Sequence, residues 1–135
     1  MTKISRNFEE GEFLVSADYP ELAAKMRLSK RDKEHLWPLV HCGLQPIRDY
    51  FGIAVIILSG KRSSALNEAV NGAPSSQHLV ASAADFIIPT VPMAQVYEYI
   101  KHELCWGGQL FFYQRDLFIH LGLPQPGVTK RQFIK

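Results

Sequence analysis

The sequence predicts an α+β domain: a small, mostly antiparallel sheet with helices packed on one side of it. Two observations predict this class. Residues 32–50 carry apolar side chains at three- and four-residue steps, which is the spacing of one helical face. Most of the remaining chain contains short apolar runs that lie close together in sequence, which favours strands joined by short connections.

The first half of the chain is predicted to form two helices. A short helix covers residues 20–28, because Pro20 suits a first helical turn. A longer helix covers residues 32–50, and Gly52 ends it. Pro46 must kink this helix or occupy a tightly packed break, because it has no N–H to donate. The apolar face of the longer helix is formed by Leu36, Leu39, Val40, Leu44 and Ile47.

The second half is predicted to alternate between strands and helices. The run IAVIIL is a buried strand rich in β-branched residues, and a short helix follows it within residues 62–74. A second strand covers about 83–88, and another helix follows Pro92. The last two strands are QLFFY at 109–113 and FIHLGL at 118–123.

Length and composition indicate one domain over residues 1–135, with a motif core at about 59–123 and a polar, basic tail at about 124–135. At 47% hydrophobic and 21% charged, the 135 residues can build one core, which excludes intrinsic disorder and coiled coil. The longest apolar run is IAVIIL, far below the ~20 residues needed to cross a bilayer, so no membrane insertion is expected. A net charge of +2 gives no reason to expect a nucleic-acid partner.

The amino-terminal residues contain no apolar segment typical of a signal peptide, so we expect synthesis in the cytoplasm without one. The two cysteines, Cys42 and Cys105, form no C-x-x-C pair. A single disulfide between them remains open.

Three residues of the predicted loops and strands could form a metal site. His78 lies in a loop, Asp85 near the start of the second strand and His120 in the middle of the fourth. Side chains alternate across a strand, so His120 lies on the face opposite Ile119 and Leu121. Two imidazoles and one carboxylate suit a catalytic zinc, which takes three protein ligands and keeps a fourth position for water. The alternative from these residues alone is a hydrogen-bonded core histidine and a turn or capping aspartate.

Residues 59–86, SGKRSSALNEAVNGAPSSQHLVASAADF, resemble the zinc D-alanyl-D-alanine carboxypeptidase family, which includes phage endolysins that cut peptidoglycan stem peptides. The family pattern is a Ser-Gly-aromatic-Arg-Ser turn, a Leu-Asn helix, Ser-x-His-x(6)-Asp, and a later His in a short apolar strand. The matching residues are Ser59, Gly60, Arg62, Ser63, Leu66, Asn67, Ser76, His78, Asp85 and His120. The resemblance runs from about 7 to 123, includes the QLFFY strand, and implies a hedgehog/DD-peptidase-like fold.

The resemblance also implies a Zn²⁺ cofactor and a role for each site residue. His78, Asp85 and His120 are the implied ligands, and Ser76 is the implied substrate-contacting hydroxyl. Zinc would polarise the scissile carbonyl and lower the pKa of water to about 7. Arg62 is the implied cation that stabilises the oxyanion; without the motif, a surface ion pair is the alternative for this residue.

The catalytic base does not match the family. Relatives place an acidic residue three positions before the last histidine or a glutamate at the end of the QLxxE strand, but these positions hold Leu117 and Tyr113. Asp116 lies four residues before His120. It either does the same work in a shifted register or is only a turn aspartate.

The expected function is therefore a zinc metallopeptidase that hydrolyses peptidoglycan stem peptides or cross-links, of the D,D-carboxypeptidase or endopeptidase type. We expect a monomer of phage or prophage origin that acts on the bacterial cell wall, as an endolysin or a virion-associated enzyme. The alternative is a catalytically inactive wall-binding or virion structural domain that retains the peptidase fold, and Tyr113 is the residue that favours it.

Overall fold

The computed structural model describes residues 2–127 and 130–135. The chain begins with a small antiparallel pair, β1 (Lys3–Ser5) and β2 (Phe8–Glu9), and a 3-10 turn at Glu10–Phe13. Helix α1 (Pro20–Ala24) starts with Pro20 in its first turn, as predicted, but ends four residues earlier than the predicted helix. Within the described residues, no helix has the length and apolar character needed to span a bilayer.

The predicted helix at 32–50 forms three helical parts that follow one another directly. Helix α2 (Lys30–Pro38) starts at a capping box in which Ser29 and Asp32 each accept a hydrogen bond from the other's backbone N–H. A π-helical stretch follows at Leu39–Leu44, and helix α3 (Gln45–Phe51) ends at Gly52 in the left-handed conformation. Pro46 lies in the first turn of α3. The π-helical turns before it are wider than α-helical turns, so the helix continues although Pro46 has no N–H to donate.

The second half forms the predicted strands and helices with shifted ends. Strand β3 (Ile56–Ser59) leads to helix α4 (Ser64–Ala69), a 3-10 turn at Gln77–Val80 and strand β4 (Ala83–Ile87). Helix α5 (Met93–His102) then leads to the hairpin of β5 (Gln109–Tyr113) and β6 (Phe118–Gly122). The fold class is confirmed as α+β.

The carboxyl-terminal segment departs from the prediction of a polar tail. Residues Gln132–Ile134 form β7, which pairs in parallel with β5. The five-stranded sheet has the order β3-β4-β6-β5-β7, and every other pair in it is antiparallel. Phe133 explains the difference, because its ring packs 4.4 Å from that of Phe111 and gives this otherwise polar segment an apolar anchor.

Helices α2, α3 and α5 and the π-helical stretch cover one face of this sheet. Leu110 and Phe112 of β5 and Ile119 and Leu121 of β6 share a buried cluster with residues of α2, the π-helical stretch, α3 and α5. Phe111 and His120, which alternate with these residues, point to the other face and stack on each other with ring centroids 5.0 Å apart. The sheet therefore positions polar groups on a face that the helices leave open.

Candidate functional site

The three predicted metal ligands meet on the face of the sheet away from the helices. Asp85 lies in the middle of β4 and His120 in the middle of β6, and the two residues are directly opposite in the antiparallel register. His78 comes from the 3-10 turn at Gln77–Val80, which Ser76 caps. One candidate ligand atom from each residue lies within 4.8 Å of the others, and all three residues are buried.

In each histidine, the ring nitrogen that does not face Asp85 contacts a hydrogen-bond acceptor. His78 Nδ1 lies 2.7 Å from the carbonyl oxygen of Gly60, which can only accept a hydrogen bond, so Nδ1 carries a proton. His120 Nε2 donates to Gln109 Oε1 at 3.1 Å. The remaining nitrogens then face Asp85: His78 Nε2 is 3.3 Å and His120 Nδ1 is 2.8 Å from its Oδ1.

This arrangement fits a bound zinc ion. In their neutral forms, both imidazoles present a lone pair to an ionised carboxylate, so three electron-donating atoms converge and a positive charge is needed between them. His78 Nε2 is buried and has no hydrogen-bond partner among the described residues. An unsatisfied buried group costs about 1–3 kcal/mol, a cost that a metal bond at this nitrogen would remove. Two nitrogens and one oxygen are a donor set that zinc accepts.

Electrostatics keep Asp85 in its ionised form. Burial alone would raise the pKa of this carboxyl, but the neighbouring imidazoles of His78 and His120 outweigh burial and lower the pKa below its usual range. The site therefore contains a carboxylate, the form that binds a cation.

Arg62 lies beside the metal cluster and is held in place by neutral groups. Its Nη2 is 3.6 Å from Asp85 Oδ2, while its Nε donates to Ser59 Oγ and its Nη1 to Asn67 Oδ1. Burial lowers the pKa of the guanidinium, and the negative charge of the neighbouring Asp85 partly opposes this change. A Cβ on Gly72 would lie 2.0 Å from Asn67 Oδ1, so only glycine at 72 permits this packing.

Ser76 adjoins the cluster, whereas Asp116 makes no hydrogen bond to its residues within the described part of the chain. Ser76 is half-buried next to His78 and accepts from the His78 backbone N–H at 3.2 Å, which leaves its own hydroxyl proton available. Asp116 is exposed in the turn between β5 and β6. The side-chain contacts of His120 are with Asp85 and Gln109 rather than with Asp116. Tyr113, at the family's glutamate position, is half-buried and stacks on Phe118.

Sequence reasoning missed three groups that support the site: Gln109, the Gly60 carbonyl and Asn67 as a partner of Arg62. Gln109 carries the clearest signal, because it lies two residues before Phe111 on the strand face that also holds His120. The Gly60 carbonyl gives no side-chain signal at all. Asn67 matches the family pattern in sequence, and its hydrogen bond to Arg62 gives it a positioning role.

Comparison with known proteins agrees with this geometry. No curated protein and no solved structure matches the chain. A family model described as Peptidase M15 matches residues 18–122, which include all three clustered residues and Arg62. Because this match covers most of the chain, the protein belongs to the peptidase M15 family, the zinc D-Ala-D-Ala carboxypeptidase-like peptidases.

Proposed function

We propose that the protein is a zinc metallopeptidase that hydrolyses peptide bonds in peptidoglycan stem peptides or cross-links, in the manner of a phage or prophage endolysin. The observation that carries the proposal is the convergence of His78 Nε2, Asp85 Oδ1 and His120 Nδ1 at one buried point. Family membership supports peptide hydrolysis, and the resemblance of the 59–86 motif to wall-cutting relatives supports the choice of substrate.

The chain's own residues then have distinct tasks. A zinc ion held by His78, Asp85 and His120 would supply Lewis-acid activation of a water molecule and of the scissile carbonyl. Arg62 donates hydrogen bonds to the carbonyl oxygen as negative charge develops on it, and Ser59 and Asn67 hold its guanidinium in place. Ser76 donates its free hydroxyl proton to the bound peptide.

A proton must also pass from the attacking water to the leaving amine, and we assign this task to Asp116. It is the acidic residue nearest to His120 in sequence, and it lies in the turn of the hairpin that carries His120. Tyr113 occupies the position of the family's glutamate, but a phenol, with an ordinary pKa of about 10, is a poor base at neutral pH.

Digestion of purified sacculi by the zinc-loaded protein tests the proposal, with released peptides identified by mass spectrometry. We expect soluble stem-peptide fragments or free D-alanine from the wild type and none from His120→Ala. Release of sugars without cleaved peptides, or equal release by both proteins, would overturn the proposal.

The second candidate function is an inactive wall-binding or virion structural domain, and Tyr113 in place of a glutamate is the observation that favours it. In that case the wild type would bind zinc and sediment with sacculi but release no peptides. Tyr113→Glu would then restore some hydrolysis.

A further inference from the structure

A groove of about 720 Å³ lies beside the candidate metal centre. One wall is strand β3, and the other is formed by residues 14–18 together with α1. The side chains along it are mainly small or aliphatic, and Asp18 and Arg62 are the charged ones among the described lining residues.

Two of the residues that line the groove lie next to the candidate metal cluster. Arg62 lines it and lies 3.6 Å from Asp85. Ser59 also lines it and is opposite Asp85 in the β3–β4 register. A peptide whose scissile carbonyl contacts Arg62 can therefore continue into this groove.

The far wall is held at a fixed distance from β3 by a close backbone contact. A Cβ on Gly60 would lie 2.7 Å from the carbonyl oxygen of Phe13, and Lys61 donates its backbone N–H to the same oxygen at 2.8 Å. Because Phe13 is fixed against Gly60, the segment that follows it at 14–18 has a defined position. The two walls of the groove are therefore held together by backbone contacts of the fold itself.

Strand β3 offers an edge to whatever lies in the groove. It is one of the two outer strands of the sheet, and β4 is its strand partner within the described residues. Three successive residues, Ile57, Leu58 and Ser59, line the groove, so the peptide backbone of the strand edge faces it and not one pleated face alone. An exposed strand edge can accept an extended peptide through main-chain hydrogen bonds.

A second pocket, of about 410 Å³, has more amide side chains in its lining. It is lined by Ser76, Gln77, Gln109 and Gln125 among others, and it adjoins the cluster through the contacts of Gln109 with His120 and of Ser76 with His78. A mainly aliphatic groove thus adjoins the candidate metal cluster at Arg62 and Ser59, and a pocket with several amide side chains adjoins it at Ser76 and Gln109. The two halves of a bound peptide would meet different chemistry.

We propose that the groove along β3 binds the part of the peptide substrate on one side of the scissile bond, as an extended segment with small, uncharged side chains. This inference rests on the proposed peptidase function. A charged side chain placed along the aliphatic walls, out of reach of Asp18 and Arg62, would lose water without gaining a partner, so this part of the groove selects against charge.

Leu58→Glu tests the proposal, with Ile56→Glu as the matched control. Both residues lie in β3 and are similarly exposed, at 40% and 43%, but Leu58 lines the groove and Ile56 does not. The probe is acetyl-tetra-alanine amide, titrated into zinc-loaded, ¹⁵N-labelled protein. We expect amide shift changes at Ile57–Ser59 and at 14–18, about tenfold weaker binding by Leu58→Glu, and unchanged binding by Ile56→Glu.

A second peptide with glutamate in place of two alanines should bind the wild type about tenfold more weakly. Shift changes confined to other surfaces, or equal binding by the two variants, would overturn the groove assignment. These measurements need no turnover: a protein that binds the peptide along β3 and cleaves no sacculi contradicts the proposed function alone. A protein that cleaves sacculi and shows no response at β3 contradicts the groove alone.

Discussion

The two faces of the five-stranded sheet bury different kinds of groups. On the helix-covered face, Ile119 and Leu121 of β6 are fully buried among aliphatic and aromatic side chains. On the opposite face, the same strand carries His120 against Asp85 of β4. Burial of an aliphatic side chain stabilises the fold by about 1.5–3 kcal/mol. Burial of a carboxylate and two imidazoles costs free energy unless a proton or a metal ion compensates the charge.

Neighbouring residues of β6 therefore have different roles: Ile119 and Leu121 stabilise the fold, whereas His120 belongs to the candidate site. The helix-covered face stabilises the domain whatever is bound. On the open face, burial of the carboxylate and the two imidazoles is favourable only when a positive charge lies between them. This requirement is expected of a site that binds a cation. Substitutions on the two faces should therefore change different observables.

The largest effect is expected from removing a metal ligand. His120→Ala should lose the one zinc expected per chain and reduce hydrolysis to background, because two ligands do not complete the site. Metal analysis of freshly purified protein measures this. In the wild type, zinc affinity should also fall as the pH drops below about 6, since the ligands must be deprotonated.

Leu121→Ala is the matched control from the other face. It should keep full zinc content but lower the free energy of unfolding by about 2–5 kcal/mol, because it leaves a cavity in the core. Full zinc occupancy in His120→Ala, or zinc loss in a folded Leu121→Ala protein, would contradict the division between the faces.

Asp116→Asn tests whether the hairpin turn belongs to the site face. If Asp116 carries the proton, this variant should lower kcat by about two to four orders of magnitude with zinc content unchanged, the usual contribution of general acid–base catalysis. Steady-state kinetics on a stem peptide measure it. Wild-type turnover in the variant would show that a different group moves the proton.

Arg62→Ala is expected to lower kcat by about a hundredfold to a thousandfold while zinc stays bound, as for loss of an oxyanion donor. Arg62→Lys should recover only part of the rate, because an ammonium lacks the planar fork that contacts both Ser59 and Asn67. Activity of Arg62→Ala within about threefold of the wild type would assign Arg62 a purely structural role.

The smallest effect concerns Gln109, which orients His120 without reaching the metal position. Gln109→Met removes the acceptor at similar size and should weaken zinc binding by about 10- to 100-fold, as for other groups that orient a metal ligand. Gln109→Glu keeps an acceptor for His120 Nε2 and should restore most of the affinity. Competition with a chelator measures both; equal affinity of Gln109→Met and wild type would remove the positioning role.

Local patterns in the sequence were sufficient for the elements and for the central motif. Pro20 and Gly52 mark helix ends through their own backbone restrictions, and both lie where predicted. The alternation of β6 placed His120 opposite Ile119 and Leu121 because a strand has a period of two. The spacing of His78 and Asp85 carried the family resemblance, which the family match confirms.

The remaining features depend on contacts between residues far apart in sequence. The carboxyl-terminal residues form a strand because the ring of Phe133 packs on that of Phe111. The helix continues past Pro46 because a π-helical stretch precedes this residue.

The sequence by itself therefore determined the fold class and the central strands and helices, since these follow from short-range periodicity, and the family resemblance implied the residues of the candidate metal cluster. Only the tertiary structure decided that Gln109 and the Gly60 carbonyl hold the two histidines and that a groove runs from Arg62 along β3. A backbone carbonyl has no letter in the sequence, and a groove exists only once two distant segments lie side by side.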